Sequence, residues 1–365
     1  MTVTPIVPEW ALPVGHVSGR RKAVRGISTI GVSELAEPLP TQNFLVEALG
    51  IGPGAPTVVA GYGFAAKTMA LQSLLLDIAS GHKAWGVFGC KKGRALHLDF
   101  EQGLRLCQER YQRLAKGRGL DLSELREGDR LRLAVHPSVY LTADDAESVF
   151  THAFGGFDVV LIDSLKAATA GADENSSEIR QYVDVLGRVS EKTGATVLLV
   201  HHARKPKSDD PVGARYAMRG SSALYDAMAS VFIFSGAKGQ PTRVTHEKCR
   251  NRGIMVDDFG LQVEDVEIDG DRRAGLRVVH LEPEQLAAAQ PTTEGSPARN
   301  IERIRAYLVG SGPHLGNRDA LRERVGMGQQ PFRSAISVLE SLGDVVVEKV
   351  KGGLSIRLRE HEVAP

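Results

Sequence analysis

Apolar residues along this chain follow two alternating patterns. Short unbroken apolar runs end at Ala60, Ile162, Val200 and Phe234, the pattern of strands buried on both faces. Arg94–Phe100, Arg130–His136 and Arg243–Arg250 read as further strands. Between the runs, Met69–Ser80, Leu104–Gly117, Thr142–His152 and Glu178–Lys192 read as helices. The first is apolar on more than one face, as a helix packed on a sheet is. The others carry apolar positions at helical spacing, with Arg105, Arg110 and Arg113 expected to point outward from the second. Residues 254–283 read as β-hairpins that close this part of the chain. Strands that alternate with helices predict an α/β fold with a mostly parallel sheet.

The alternation stops at Pro283. Residues 283–298, with Gln290-Pro291-Thr292-Thr293-Glu294-Gly295-Ser296-Pro297 at their centre, have the composition of a linker. Beyond them, Arg299–Leu308, Arg318–Val325 and Gln330–Leu342 read as helices. Val345–Val350 and Leu354–Leu358 read as a hairpin with Lys351-Gly352-Gly353 at its tip. That order predicts a small winged helix-turn-helix over residues 299–362. Gln329, Gln330, Arg333 and Ser334 would then face a major groove, with Lys349 and Lys351 on the backbone; winged helices also dock proteins. The expected division is an arm over 1–40, an α/β domain over 41–282, the linker and the C-terminal domain.

Composition changes this picture little. The chain has 365 residues, 42% of them hydrophobic and 24% charged, with a net charge of +1. Any affinity for nucleic acid must therefore come from local patches, such as Arg20-Arg21-Lys22 in the arm. No apolar run approaches the ~20 residues of a membrane span, and the N-terminus lacks a signal-peptide core. Cys90, Cys107 and Cys249 are scattered and odd in number, which argues against a disulfide framework or a zinc site. A reduced, cytoplasmic protein without membrane contact is expected.

The candidate chemistry begins at residues 57–68. An apolar run enters Gly61-Tyr62-Gly63-Phe64-Ala65-Ala66, and Lys67-Thr68-Met69 opens a helix. Strand, glycine turn and helix N-terminus make a cradle for phosphate oxygens. Lys67 would reach the β- and γ-phosphates and Thr68 would ligate Mg²⁺. Ala66 stands where the phosphate-loop pattern has its second glycine.

Downstream strand ends carry matching chemistry, and ligands in open α/β sheets lie outside the carboxyl ends of the strands. Asp99 and Glu101 end one strand. Glu101 is placed to polarise a water for attack on a γ-phosphate, with Asp99 able to share the role. Asp163 ends another and would hold Mg²⁺ with Thr68. His201 and His202 end a third, where they would sense the γ-phosphate. The polar loop beyond holds Arg204, Lys205, Lys207 and Arg215, suited to a nucleic-acid backbone. Basic residues after the Arg243 strand, Lys248 and Arg250 among them, suggest charges donated to a neighbour's nucleotide.

The order Gly61-Tyr62-Gly63 with Lys67-Thr68, Leu98-Asp99-Phe100-Glu101-Gln102-Gly103, Val160-Leu161-Ile162-Asp163, Val200-His201-His202 and Arg219-Gly220-Ser221-Ser222-Ala223-Leu224 resembles the RecA-like ATPases of the RepA hexameric-helicase branch. The resemblance covers about residues 45–282. It implies a RecA-like core that hydrolyses ATP between the subunits of a ring, most commonly a hexamer, on single- or double-stranded DNA in replication or mobile-element metabolism. Glu101 would be the general base, Asp163 the magnesium ligand, and His202 or His201 the γ-phosphate sensor. Lys248-Cys249-Arg250 is similar to the Lys-x-Arg of replicative helicases, whose arginine reaches into the adjacent subunit; Arg219 is the rival finger. Ala66 and the C-terminal domain depart from the pattern and leave open an ATP-switched DNA-binding regulator or a recombination ATPase.

Overall fold

The run Thr57–Gly61 is apolar throughout because it is covered on both sides: Val59 belongs to one hydrophobic cluster, and Val58 and Ala60 to another. The computed structural model describes residues 22–24, 27–38, 41–170, 172, 176–202, 222–289, 297–341, 344–350 and 353–359. By contacts the chain forms two units, Met1–Ala289 and Gln290–Pro365.

In chain order the first unit carries β1 (Lys22–Val24), β2 (Ile27–Thr29), α1 (Val32–Leu35), β3 (Thr57–Gly61) and α2 (Lys67–Ser80). Next come β4 (Ala95–Asp99), α3 (Leu104–Gly117), β5 (Leu131–Val135) and α4 (Ala146–Phe154). They are followed by β6 (Val159–Asp163), α5 (Leu165–Ala168), α6 (Ile179–Thr193), β7 (Thr196–His202) and α7 (Ser222–Ala227). Strands β8 (Ser230–Ser235), β9 (Thr242–Cys249), β10 (Phe259–Ile268) and β11 (Asp271–Leu281), with helix α8 (Pro283–Ala289), finish the unit.

The main sheet has the order β11-β10-β9-β8-β3-β7-β6-β4-β5. Strands β3 to β8 pair in parallel, so the ends of β3, β4, β6 and β7 lie on one edge. Strands β9, β10 and β11 are antiparallel additions. The sheet is thus α/β and mostly parallel, as expected. Helices α2 and α3 bring Leu71, Leu74, Ile78 and Leu114 to one face, while α4 and α6 bring Phe150, Phe154, Val183 and Leu186 to the other. Each such side chain contributes roughly 1.5–3 kcal/mol by leaving water.

The β10–β11 hairpin is longer than its support. Strand β10 pairs with β9 only from Phe259 to Leu261, whereas its pairing with β11 continues to Ile268. The overhang lies against α3, where Arg113 meets Asp265 at 2.6 Å. It lies so close that a Cβ on Gly117 would stand 2.1 Å from the Leu276 carbonyl oxygen.

Three boundaries differ from the sequence reading. The segment drawn as an arm includes β1, β2 and α1. The helix expected from Thr142 begins at Ala146, with Asp145 at its cap position. The expected linker starts as α8, because Leu286 is buried against Gly260 of β10; residues 290–296 lie outside the described residues.

The second unit holds α9 (Pro297–Ser311), β12 (His314–Gly316), α10 (Arg318–Arg324), α11 (Gln329–Ser341), β13 (Val345–Val350) and β14 (Gly353–Leu358). Asn317 caps α10 by accepting from the Ala320 N–H at 2.7 Å. The strands form an antiparallel sheet in the order β12-β14-β13; β12 was not anticipated. Ile304, Leu308, Leu321, Phe332, Ile336 and Ile356 make a core of its own. Arg333 and Lys349 are exposed, and Lys351 lies outside the described residues. No described helix is long and apolar enough to cross a membrane.

Candidate active site

Strand β3 must end in glycine, since a Cβ on Gly61 would stand 2.3 Å from the Phe234 carbonyl oxygen of β8. The loop that follows turns sharply, with Phe64 at φ 69° and Ala66 at φ 51°. Left-handed backbone costs a residue with a Cβ roughly 1–2 kcal/mol, so Ala66 caps α2 in a conformation that glycine adopts freely. Lys67 is buried by the loop, and its Nζ donates to the carbonyls of Gly61 at 2.9 Å and Tyr62 at 2.8 Å. Burial lowers its pKa from the ordinary lysine value, against the pull of Asp163 and Glu101.

The neighbouring strand ends converge on this loop. Thr68 Oγ1 donates to Asp163 Oδ2 at 2.6 Å, and Gln102 Nε2 lies 3.4 Å from each of those two oxygens. Asp163 is 1% exposed. Burial pushes its carboxyl up to about 6; the Thr68 bond pulls the other way, and Glu101 and Asp99 push further. Glu101 accepts from the Ser164 hydroxyl and has His202 Nε2 3.3 Å from its Oε1. The His202 bond holds Glu101 below the ordinary carboxylate value; burial opposes this, and Ser164 adds to it.

Three expectations need correction. Asp99 does not share the face of Glu101: it is fully buried, and its Oδ2 accepts from the backbone N–H groups of Gln102 at 2.9 Å and Gly103 at 2.8 Å. It shapes the turn that presents Glu101. His201 and His202 separate by strand alternation, so His202 lines the site while His201 is buried in the sheet. Arg110 does not point outward. It lines the site and donates to Gln102 Oε1, because the first turns of α3 rise beside the strand ends.

A cavity of about 480 Å³ lies between these groups, within the roughly 300–1,000 Å³ range of small-molecule pockets. Gly63, Phe64, Ala65, Ala66, Lys67, Thr68 and Met69 line one wall, with Glu101, Gln102, Arg110, Asp163 and His202 beside them. The lining also includes a second wall of Lys238, Gly239 and Gln240 from the β8–β9 turn, with Leu261, Gln262 and Val263 of β10. The sequence reading missed this wall, since antiparallel pairing brings it there without a local motif. It also missed Ser164 and Gln102, although both are adjacent to residues it chose.

The family model of the AAA domain matches residues 26–208. The chain belongs to the AAA-domain family. No curated protein matches the chain. The AAA domain therefore takes in the phosphate-loop pattern and the ends of β4, β6 and β7, and it makes the protein a nucleotide-hydrolysing ATPase. Strands β8 to β11 lie beyond the matched residues.

Two basic side chains of this AAA-domain protein stand apart from its own cavity. Lys248 Nζ donates to the carbonyls of Tyr225 at 2.6 Å and Asp226 at 3.3 Å, and lies 4.7 Å over the Tyr225 ring. It is tied to α7 of its own chain. Arg250 is exposed, and among the described residues no hydrogen bond or ion pair holds its guanidinium. The other basic candidates, Arg204, Lys205, Lys207, Arg215 and Arg219, lie outside the described residues.

Proposed function

We propose that the protein is an ATP-driven motor of the RepA helicase type, which works on DNA as a ring, most simply a hexamer. The observation that carries this reading is Glu101, held between Ser164 and His202 beside Lys67, Thr68 and Asp163. Its lowered pKa keeps it ionised at neutral pH, as a general base requires. In the reaction a water oxygen bonds to the γ-phosphorus and Glu101 takes the water proton. The bond to the β–γ bridging oxygen breaks, and that oxygen leaves with ADP.

Lys67 leaves the carbonyls of Gly61 and Tyr62 to meet phosphate oxygens. The Thr68 hydroxyl and the Asp163 carboxylate are hard oxygen donors 2.6 Å apart, a set that fits Mg²⁺. That ion, when bound, neutralises charge on the phosphate oxygens. His202 reports the state of the γ-phosphate through Glu101 to the residues that follow it, Arg204, Lys205, Lys207 and Arg215. Arg250, exposed and with no hydrogen bond or ion pair to its guanidinium among the described residues, supplies the finger of the next subunit, with Arg219 as the rival. Lys248 does not, since it is spent on α7. The second unit, read as a winged helix, touches DNA through Arg333, Lys349 and Lys351.

The test is ATP hydrolysis with and without single-stranded DNA. Glu101→Gln is expected to lose about 10²-fold or more of the rate while nucleotide binding persists, and Lys67→Ala to lose both binding and rate. Hydrolysis that survives Glu101→Gln refutes the assignment of the base. The left-handed Ala66 favours one rival, an ATP-switched regulator; such a protein would not unwind a forked duplex even with abundant ATP.

A further inference from the structure

A second cavity, of about 660 Å³, lies at the far end of α2. The helix has 14 residues, so this site is about 20 Å from the phosphate loop. Asp77, Trp85, Val278 and Val279 form its floor and walls, and His82, Lys83, Arg118 and Arg277 border it. Residues 78–98 contain no acidic side chain but hold His82, Lys83, Lys91, Lys92 and Arg94. Lys92 belongs to the same surface because its stem packs on Gly81, 3.2 Å from where a Cβ would stand.

The charges here are unevenly matched. Asp77 is 1% exposed and already engaged, with Arg118 Nε 3.0 Å from its Oδ1. Burial pushes the Asp77 carboxyl up to about 6 even with Arg118 beside it. Arg277 meets Glu264 at 3.1 Å. Among the described residues Lys83, Lys91 and Lys92 form no salt bridge, and the buried Nη1 of Arg118 has no hydrogen-bond partner. A concave site bordered by basic side chains, of which Lys83 has no ion-pair partner among the described residues, raises the local concentration of anions.

We infer that this cavity and the lysines around it form a second contact for the phosphodiester backbone of a nucleic-acid strand, remote from the hydrolysis site. Lys91 Nζ donates to Asn43 Oδ1 at 2.5 Å, but Lys83 and Lys92 are exposed and without a salt bridge among the described residues. Such lysines fit a repeating phosphate chain, which needs charge at intervals rather than one shaped pocket. The inference does not depend on which residues hydrolyse ATP, nor on DNA contact by the second unit.

The experiment is fluorescence anisotropy of a labelled oligo-dT strand with the full chain over a salt series. Lys83→Glu with Lys92→Glu is expected to weaken binding about ten-fold at low salt and to flatten the salt dependence by about one to two phosphates. ATP hydrolysis without DNA should not change. Equal affinity and equal slope overturn the proposal. Amine acetylation of the wild-type chain gives a second readout: oligo-dT should protect Lys83 and Lys92. Protection by inorganic phosphate but not by oligo-dT also overturns it. If Arg333→Glu weakens binding while the Lys83 and Lys92 changes do not, the motor reading stands and this one falls.

Discussion

Asp163 works against the fold that holds it. A buried carboxyl pushed from 3.8 to about 6 carries a cost of about 3 kcal/mol once ionised. The native state keeps the proton to higher pH than the unfolded chain does. The cost is therefore absent below about pH 4, grows between about 4 and 6, and is fully present above. Asp163→Asn, which retains an oxygen for the Thr68 hydroxyl, should stabilise the nucleotide-free protein by about 1–3 kcal/mol at pH 7.5. That gain should shrink as pH falls through 6 to 4. Urea unfolding at several pH values checks this; a gain independent of pH would mean that ionisation is not the cause.

At the scale of elements, the site depends on two pieces that no active-site motif describes. One is the turn after β4, which Asp99 holds by accepting from Gln102 and Gly103, so that Glu101 reaches Ser164 and His202. The other is the overhang of β10 and β11, which brings Gln262 and Val263 to the cavity. This overhang rests on α3 by backbone contact at Gly117 and Gly275. Gly117→Ala should push it away, lower stability by about 1–3 kcal/mol and weaken nucleotide binding. Gly187→Ala in α6, where a Cβ meets nothing within 4 Å, should be neutral or stabilising. Unfolding curves and a fluorescent-nucleotide titration of both variants decide. A Gly117→Ala protein with wild-type affinity would show that the hairpin does not shape the cavity.

For the whole molecule, each unit has its own hydrophobic core, so the two should unfold separately. Scanning calorimetry should show two transitions, and nucleotide should raise only the one that belongs to Met1–Ala289. A single transition raised as a whole would mean that the units are coupled.

The sequence alone determined the strand–helix alternation, the phosphate loop and the carboxylates at the strand ends. These are legible because a buried parallel strand needs an unbroken apolar run, and the residue after it emerges at a known edge. The separation of His201 from His202 was legible in principle, since strand alternation sends neighbours to opposite faces. Only the tertiary structure decided that Asp99 shapes a turn, that Arg110 turns inward, that Lys248 is tied to α7, and that β8 to β10 wall the cavity. Those outcomes depend on pairing register and on which helix lies against which strand end. Contacts between residues far apart in the chain set both, and no local pattern records them.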